Sequence, residues 1–257
     1  MQNNQTHCVL SPAAIEIMAE DLYRQAAAEG IPLRLFGSVA VRLHCQRNKY
    51  LLDRFKRVPK DVDVVIMDAG RYGLRHMLVE DWVEDMNIAI STEGEHLRFH
   101  KKNDTFCLDV SVNELRYSQV LPMRKRFSVD SPTLSITDLL LSKLQASSPT
   151  ISDLADISVM LLEHPVGHSD DDEINIDYIV EMTSRSWRWY HAIEMTTQRA
   201  HAFMMNWTII SNDQKEVAMA RLHELMYRCS SSTKSSFWHI RRIFGAAIPW
   251  YFPVSSP

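Results

Sequence analysis

The stretch that most constrains the fold of this chain is KDVDVVIMD, at residues 60–68. Valine and isoleucine alternate there with Asp61 and Asp63, which is the period of a β-strand. Burying an ionised carboxylate without a partner costs several kcal/mol. A strand of this kind therefore either exposes its acidic side to water or holds a cation against it.

A cation site on this strand needs a further carboxylate from a neighbouring strand. The Asp-x-Asp spacing places Asp61 and Asp63 on one face, about 6.5–7 Å apart along the backbone. In FCLDVSVN, residues 106–113, Asp109 lies on the polar side of a second alternating run. Mg²⁺ takes carboxylate oxygens and substrate phosphates as ligands. The pattern predicts a Mg²⁺ or Mn²⁺ site at Asp61, Asp63 and Asp109, of the kind that assists an in-line displacement. The alternative is a solvent-facing pair on an edge strand.

A second motif, LFGSVA, places Gly37 and Ser38 between a predicted strand and a predicted helix. Glycine permits a tight turn and a close approach of the backbone. The amides at the start of the following helix favour an anionic phosphate, and the Ser38 hydroxyl can also donate. The alternative is that the turn is purely structural. The order of a strand, a Gly-Ser turn, a basic connector and two acidic strands favours phosphate binding.

Composition excludes several classes of protein. The 257 residues are 46% hydrophobic and 23% charged, with a net charge of −4, so the chain lacks the overall basic charge of a nucleic-acid-binding protein. Basic residues cluster locally, at residues 47–60 and 124–126. The four cysteines form no CxxC pair, which gives no basis for a zinc site or a disulfide framework. No signal-peptide pattern and no apolar stretch approaching 18 residues is present, so we expect a cytoplasmic protein without membrane association.

The pattern along the chain changes character after Pro132, which gives an α+β class with a mainly helical second half. A helix is predicted from Pro12, with Ser11 as its N-cap. The residues at 46–60 are predicted to form a polar, basic loop. The remaining predictions before Pro132 are strands at 32–36, 61–66, 87–91, 97–100 and 105–113 and helices at 37–43 and 70–80.

The segments FGSVAVRLH, PKDVDVVI and FCLDVSV together resemble the nucleotidyltransferase superfamily that includes DNA polymerase beta. The resemblance implies a catalytic core at residues 1–130, with a mixed β-sheet and flanking helices, followed by a helical domain at residues 131–257. It also implies that the Gly-Ser turn holds a nucleoside triphosphate. Asp61 and Asp63 would ligate the metal ions, and Asp109 would complete the site and help activate an acceptor hydroxyl.

Two later segments narrow the resemblance. LSITDLLLSKLQ and TISDLADISVMLLEH are similar to nucleotidyltransferase-like proteins related to the abortive-infection toxins of bacterial toxin–antitoxin systems. The similarity implies that Lys143 contacts the nucleotide phosphates and that Asp156 is the last acid of the motif. From the residues alone, Lys143 has the alternative of extending from an apolar helix face to water. Arg57 and Lys60 flank the acidic strand, where they could meet phosphate or belong to a solvated loop.

The expected function is a metal-dependent transfer of a nucleoside monophosphate from a nucleoside triphosphate to an acceptor hydroxyl. The resemblance favours RNA, such as a tRNA end, as the acceptor and an antitoxin-like protein as a partner. The net acidity leaves a small molecule or a protein hydroxyl open. The alternative is a catalytically inactive binding or regulatory module. Trp187, Trp189 and Tyr190, beside Arg185 and Arg188, could stack on a base or belong to the core.

Overall fold

The computed structural model describes residues 11–102 and 106–252. The first helix, α1, spans Pro12–Ala28, and the Ser11 side chain accepts a hydrogen bond from the Ala14 amide, as an N-cap does. The predicted strand at 105–113 begins at a residue outside the described ranges. The other elements of the first half are β1 (Leu33–Phe36), α2 (Gly37–His44), α3 (Lys49–Arg54), β2 (Asp61–Ile66), α4 (Arg71–Leu78), β3 (Trp82–Glu84), α5 (Met86–Ser91), β4 (His96–Lys101), β5 (Cys107–Val112), β6 (Glu114–Arg116) and β7 (Val120–Pro122).

Strands β1 to β5 form one mixed five-stranded sheet, in the order β1-β2-β5-β4-β3. The two acidic strands, β2 and β5, are neighbours and run parallel. The other pairs in this sheet are antiparallel. Strands β6 and β7 form a separate hairpin directly after β5. This order places the strand that carries Asp61 and Asp63 between β1 and the strand that carries Asp109.

The second half is mainly helical, as the sequence predicts. Between its helices lies a short parallel pair of strands, β8 (Val166–Gly167) and β9 (Ile174–Asn175). The helices are α6 (Ile136–Leu144), α7 (Ile151–Glu163), α8 (Ile176–Arg185), α9 (Trp187–Asn206), α10 (Asn212–Ser231) and α11 (Ser236–Phe244). The class is therefore mixed α and β, with a five-stranded sheet followed by a helical half.

Two local predictions are wrong. Residues 87–91 were expected to form a strand, but they lie in α5, because the Asp85 side chain accepts hydrogen bonds from the Asn87 and Ile88 amides and caps a helix there. The basic segment at 46–60 is not entirely loop. It contains α3, whose Leu51 and Leu52 are fully buried. Two adjacent buried leucines favour a short helix over the solvated loop that the charges indicated.

One contiguous cluster of buried apolar residues includes members of the sheet and of the helical half. On the sheet, Val62, Val64 and Ile66 of β2 belong to it, so the two acids of the same strand point to the opposite face.

Near α6, the guanidinium of Arg126 hydrogen-bonds the buried carboxylate of Asp138 and pairs with Asp170 at 2.6 Å. The division into domains at 1–130 and 131–257 stays a prediction.

No helix of the described residues combines the length and the apolar character that crossing a lipid bilayer requires.

Candidate active site

Asp63 and Asp109 are directly paired in the sheet. Their Cα atoms are partners in the parallel register of β2 and β5, and Asp61 is paired two positions earlier with Cys107. Residues that are partners across two strands point to the same face. The structure therefore brings the three predicted acids onto one face of adjacent strands, as the alternation in the sequence predicts.

Gly37 lies against the carboxyl group of Asp63. Its φ is +69°, in the left-handed region, and a Cβ atom at this position would be 1.9 Å from Asp63 Oδ2. No side chain larger than hydrogen fits there without moving that carboxylate. Ser38, the second residue of α2, is buried beside it. The Gly-Ser turn and the acidic pair thus form one site, and the contact explains why glycine is required at position 37.

The surroundings of Asp61 and Asp63 disfavour the negative charge of both carboxylates. Burial and the neighbouring Asp61 and Asp109 charges raise the pKa of Asp63 to about 8. Burial and Asp109 also raise the pKa of Asp61. Both effects disfavour ionisation. A bound cation would relieve both of them.

Asp109 is in a different electrostatic state. Arg98 of the neighbouring strand β4 donates two hydrogen bonds to it, from Nε to Oδ1 at 2.6 Å and from Nη2 to Oδ2 at 3.1 Å. His96 Nε2 lies 3.4 Å from Oδ1. Although burial opposes ionisation, these hydrogen bonds from His96 and Arg98 lower the pKa of Asp109. Asp109 is therefore an ionised carboxylate that is already paired with a cation.

Lys143 and Arg57 lie at the edge of the acidic pair. Their positive charges are among the influences that favour the ionised forms of Asp61 and Asp63. Lys143 Nζ is itself held by acids of α7, at 2.8 Å from Asp153 Oδ1 and 3.2 Å from Asp156 Oδ2. The lysine side chain is only 14% exposed and its ammonium is held by these two acids, so it does not simply extend from an apolar helix face to water.

Asp156 has no exposed surface, and its Oδ2 accepts from Arg57 Nη2 at 3.3 Å. Its other oxygen and Arg57 Nε are buried with no hydrogen-bond partner among the described residues. Unpaired buried donors and acceptors are costly, so this network is incomplete on one side. Lys60, in contrast, is exposed, and within the described ranges no hydrogen bond or ion pair joins it to the site.

Sequence reasoning missed three residues near the acids: His96, Arg98 and Tyr117. Burial of the phenol and the charges of Asp63, Asp109 and Asp61 raise the pKa of Tyr117 well above its usual range, although the residue as a whole is 36% exposed. The alternation in HLRFHK places His96 and Arg98 on one face of a strand, and this was an available signal. That they face Asp109 depends on the pairing of β4 with β5.

The acids of the site fit Mg²⁺ only in part. In the part of the chain that the structure describes, no group of three or more His, Cys, Asp or Glu side chains is arranged to hold a metal ion. Asp61 and Asp63 still offer two uncompensated carboxylates on one face. Proteins commonly bind Mg²⁺ through one or two carboxylates, with substrate phosphates and water completing the octahedron. The residues therefore fit an ion that a phosphate ligand completes, and they do not form a closed protein cage.

Comparison with known proteins adds no relative. No protein-family model matches the chain. A search of curated proteins also finds no match.

Proposed function

We propose that this chain is a metal-dependent nucleotidyltransferase of the DNA polymerase beta fold type. It would transfer a nucleoside monophosphate from a nucleoside triphosphate to an acceptor hydroxyl. The observation that carries the proposal is the contact of Gly37 with Asp63, beside Asp61 and Asp109. The start of α2 can donate amides to a phosphate, and it lies beside the acidic pair Asp61 and Asp63, which would need a cation. A metal–triphosphate complex requires both features.

In this proposal, the residues of the site bind and orient the reactants. The amides at the start of α2 and the Ser38 hydroxyl would donate to the triphosphate, and Lys143 and Arg57 would supply positive charge beside it. Asp61 and Asp63 would hold Mg²⁺ or Mn²⁺, which when bound supplies counter-charge to the phosphates. Preorganised charge of this kind accounts for most of the catalysis in phosphoryl transfer.

The proposed reaction forms one bond and breaks one. The oxygen of the acceptor hydroxyl bonds to the α-phosphorus, the bond from that phosphorus to the bridging oxygen of the β-phosphate breaks, and pyrophosphate leaves. Asp109, the strand partner of Asp63, would accept the hydroxyl proton, and its pairing with Arg98 keeps it ionised at neutral pH. The resemblance in sequence favours RNA as the acceptor, a cytoplasmic toxin–antitoxin setting and an antitoxin-like partner.

A second candidate function is an inactive nucleotide-binding module with the same fold. The observation that favours it is the pairing of both Asp109 oxygens with Arg98, together with the absence of a three-ligand metal group from the described residues. In that case the Gly-Ser turn and the acidic pair would bind metal and triphosphate without turnover.

The experiment that separates the two candidates follows label from α-³²P-labelled ATP, GTP, CTP and UTP, with Mg²⁺ or Mn²⁺, into RNA, protein and small-molecule pools. Asp61→Asn/Asp63→Asn is the test variant. Asp68→Asn is the matched control, because Asp68 follows the same strand but is exposed and paired with Arg71. Transfer by the wild type and the control, lost in the test variant, supports the enzyme. Metal-dependent triphosphate binding without transfer supports the module.

A further inference from the structure

A second concave site lies in the helical half. It is a cavity of about 700 Å³ between α9, the end of α10 and α11. None of the acids of the candidate active site lines it. Its walls carry the rings of Trp187, Tyr190 and Trp238. Trp187 and Tyr190, which from the sequence could stack on a base or belong to the core, both lie in the wall of this cavity.

Positive charge lies directly beside these rings. Lys234 Nζ is 5.0 Å from the centre of the Tyr190 ring, and the guanidinium carbon of Arg242 is 5.6 Å from the centre of the Trp238 ring. Among the described residues that line the cavity, Glu194 is the one carboxylate, and it hydrogen-bonds the Tyr190 side chain. The cavity therefore presents aromatic faces and a net positive charge.

This combination restricts the chemistry of a ligand. A purely apolar ligand would leave the exposed Arg242 guanidinium without an anionic partner, and it would leave the same gap at the Lys234 ammonium, which already donates to the Cys229 carbonyl and the Ser232 hydroxyl. An inorganic anion would leave the aromatic walls unused. A planar base stacks on aromatic rings, and its phosphate pairs with Lys or Arg. The volume also lies within the range of roughly 300–1,000 Å³ that is usual for small-ligand sites.

The C-terminal segment of the described chain contacts both a residue of the cavity and the β6–β7 hairpin. The Trp250 ring lies 4.8 Å from the ring of the cavity residue His191, and the Trp250 carbonyl accepts from Gln119 Nε2 at 2.8 Å. The Phe252 amide donates to the Ser118 carbonyl at 3.0 Å. Ser118 and Gln119 follow Tyr117 in the β6–β7 hairpin. The two sites are thus distinct but joined through one hairpin.

We infer that this cavity binds a nucleotide, with the base against Tyr190, the half-buried ring of the three, and the phosphate on Lys234 and Arg242. The ligand is either a free mononucleotide or one unit of a single strand, because both offer the same base and phosphate. The inference goes beyond the proposed function and does not depend on it. A chain without transferase activity would keep this site.

Calorimetric titration with AMP in the presence of EDTA tests the inference. The chelator suppresses metal-dependent binding at Asp61 and Asp63, so failure of the proposed function does not affect the result. Lys234→Ala/Arg242→Ala is expected to weaken AMP binding at least about tenfold, because two charge-assisted contacts are lost. Lys215→Ala is the matched control, since Lys215 lies near the opposite end of α10. It should leave the affinity for AMP unchanged.

Further ligands and one further variant test each part of the recognition. Adenosine should bind more weakly than AMP, because it has no phosphate. Tyr190→Leu should weaken AMP binding by about 5- to 150-fold, the loss expected when one stacked base loses its platform. A single-stranded tetra-adenylate that binds more tightly than AMP would identify a strand as the source, and equal binding would identify the free nucleotide.

Two results would overturn the inference. One is no saturable binding of AMP or of tetra-adenylate to the wild-type chain. The other is equal AMP affinity in the wild type and in Lys234→Ala/Arg242→Ala. Tighter binding of O-phosphotyrosine than of AMP would also overturn the assignment to a nucleotide, because it would show that the aromatic walls select a smaller ring.

Discussion

Replacing Gly37 with alanine gives the sharpest structural prediction. Two penalties are expected. An alanine at a φ of +69° costs about 1–2 kcal/mol in backbone strain. The new methyl group would also lie 1.9 Å from Asp63 Oδ2, so that oxygen must retreat by about 1.1 Å to reach the 3.0 Å that real contacts require. A displacement near 1 Å at a reacting centre can reduce activity about 100-fold.

Gly30→Ala is the matched control for this prediction. Gly30 has a φ of +70°, but a Cβ atom there would meet no atom within 4 Å. This variant should therefore carry the backbone strain alone, about 1–2 kcal/mol in the free energy of unfolding. Any additional effect of Gly37→Ala reports the contact with Asp63.

Both variants can be compared by urea unfolding and by Mn²⁺ affinity in electron paramagnetic resonance titrations. Gly37→Ala should lose stability at least equal to that of Gly30→Ala, and it should weaken Mn²⁺ binding and any transfer activity, which Gly30→Ala should not. Equal Mn²⁺ affinity in the two variants would refute the reasoning, because it would show that Asp63 does not need its position against Gly37 to hold the ion.

Three other predictions concern the charges of the site. Lys143→Met should lower the free energy of unfolding by about 3–5 kcal/mol in urea titrations, because it leaves the buried Asp156 carboxylate with fewer partners. A loss below about 1 kcal/mol, which is typical of an exposed ion pair, would contradict this prediction. In EDTA, the stability of the protein should fall as the pH rises from about 4 towards 8, because the raised pKa of Asp63 makes the folded state bind more protons than the unfolded state in that window. Denaturation across this pH range should show the fall in wild type and a smaller one in Asp63→Asn. Arg98→Gln should increase Mn²⁺ affinity severalfold by releasing the Asp109 oxygens, and an unchanged affinity would show that Arg98 does not compete with the ion.

The acidic pair and the glycine turn could be predicted because their signals are local. Alternation fixes which face of a strand carries Asp61 and Asp63, and two such strands with matching patterns pair readily. Gly37 follows an apolar strand, where only glycine allows the close approach that the structure shows. The helix at residues 86–91 could not be read in the same way, because the Asp85 cap outweighs an alternation of only a few residues.

The partners of Asp109 and the second cavity depend on pairings distant in sequence. Arg98 reaches Asp109 only because β4 pairs with β5 in one particular register. The cavity joins Trp187 to Lys234 and Arg242, which are about 50 residues later in the chain. No period or spacing encodes such contacts, since they arise from how the helices of the second half pack on one another.

The most direct test of the central claim is a crystal structure with Mn²⁺ and a nucleoside triphosphate analogue that cannot be cleaved between the α- and β-phosphates. Anomalous scattering locates the ion without ambiguity. We expect Mn²⁺ on the carboxylates of Asp61 and Asp63, with the triphosphate against Gly37 and Ser38. A triphosphate bound elsewhere, with no ion on Asp61 or Asp63, would contradict it.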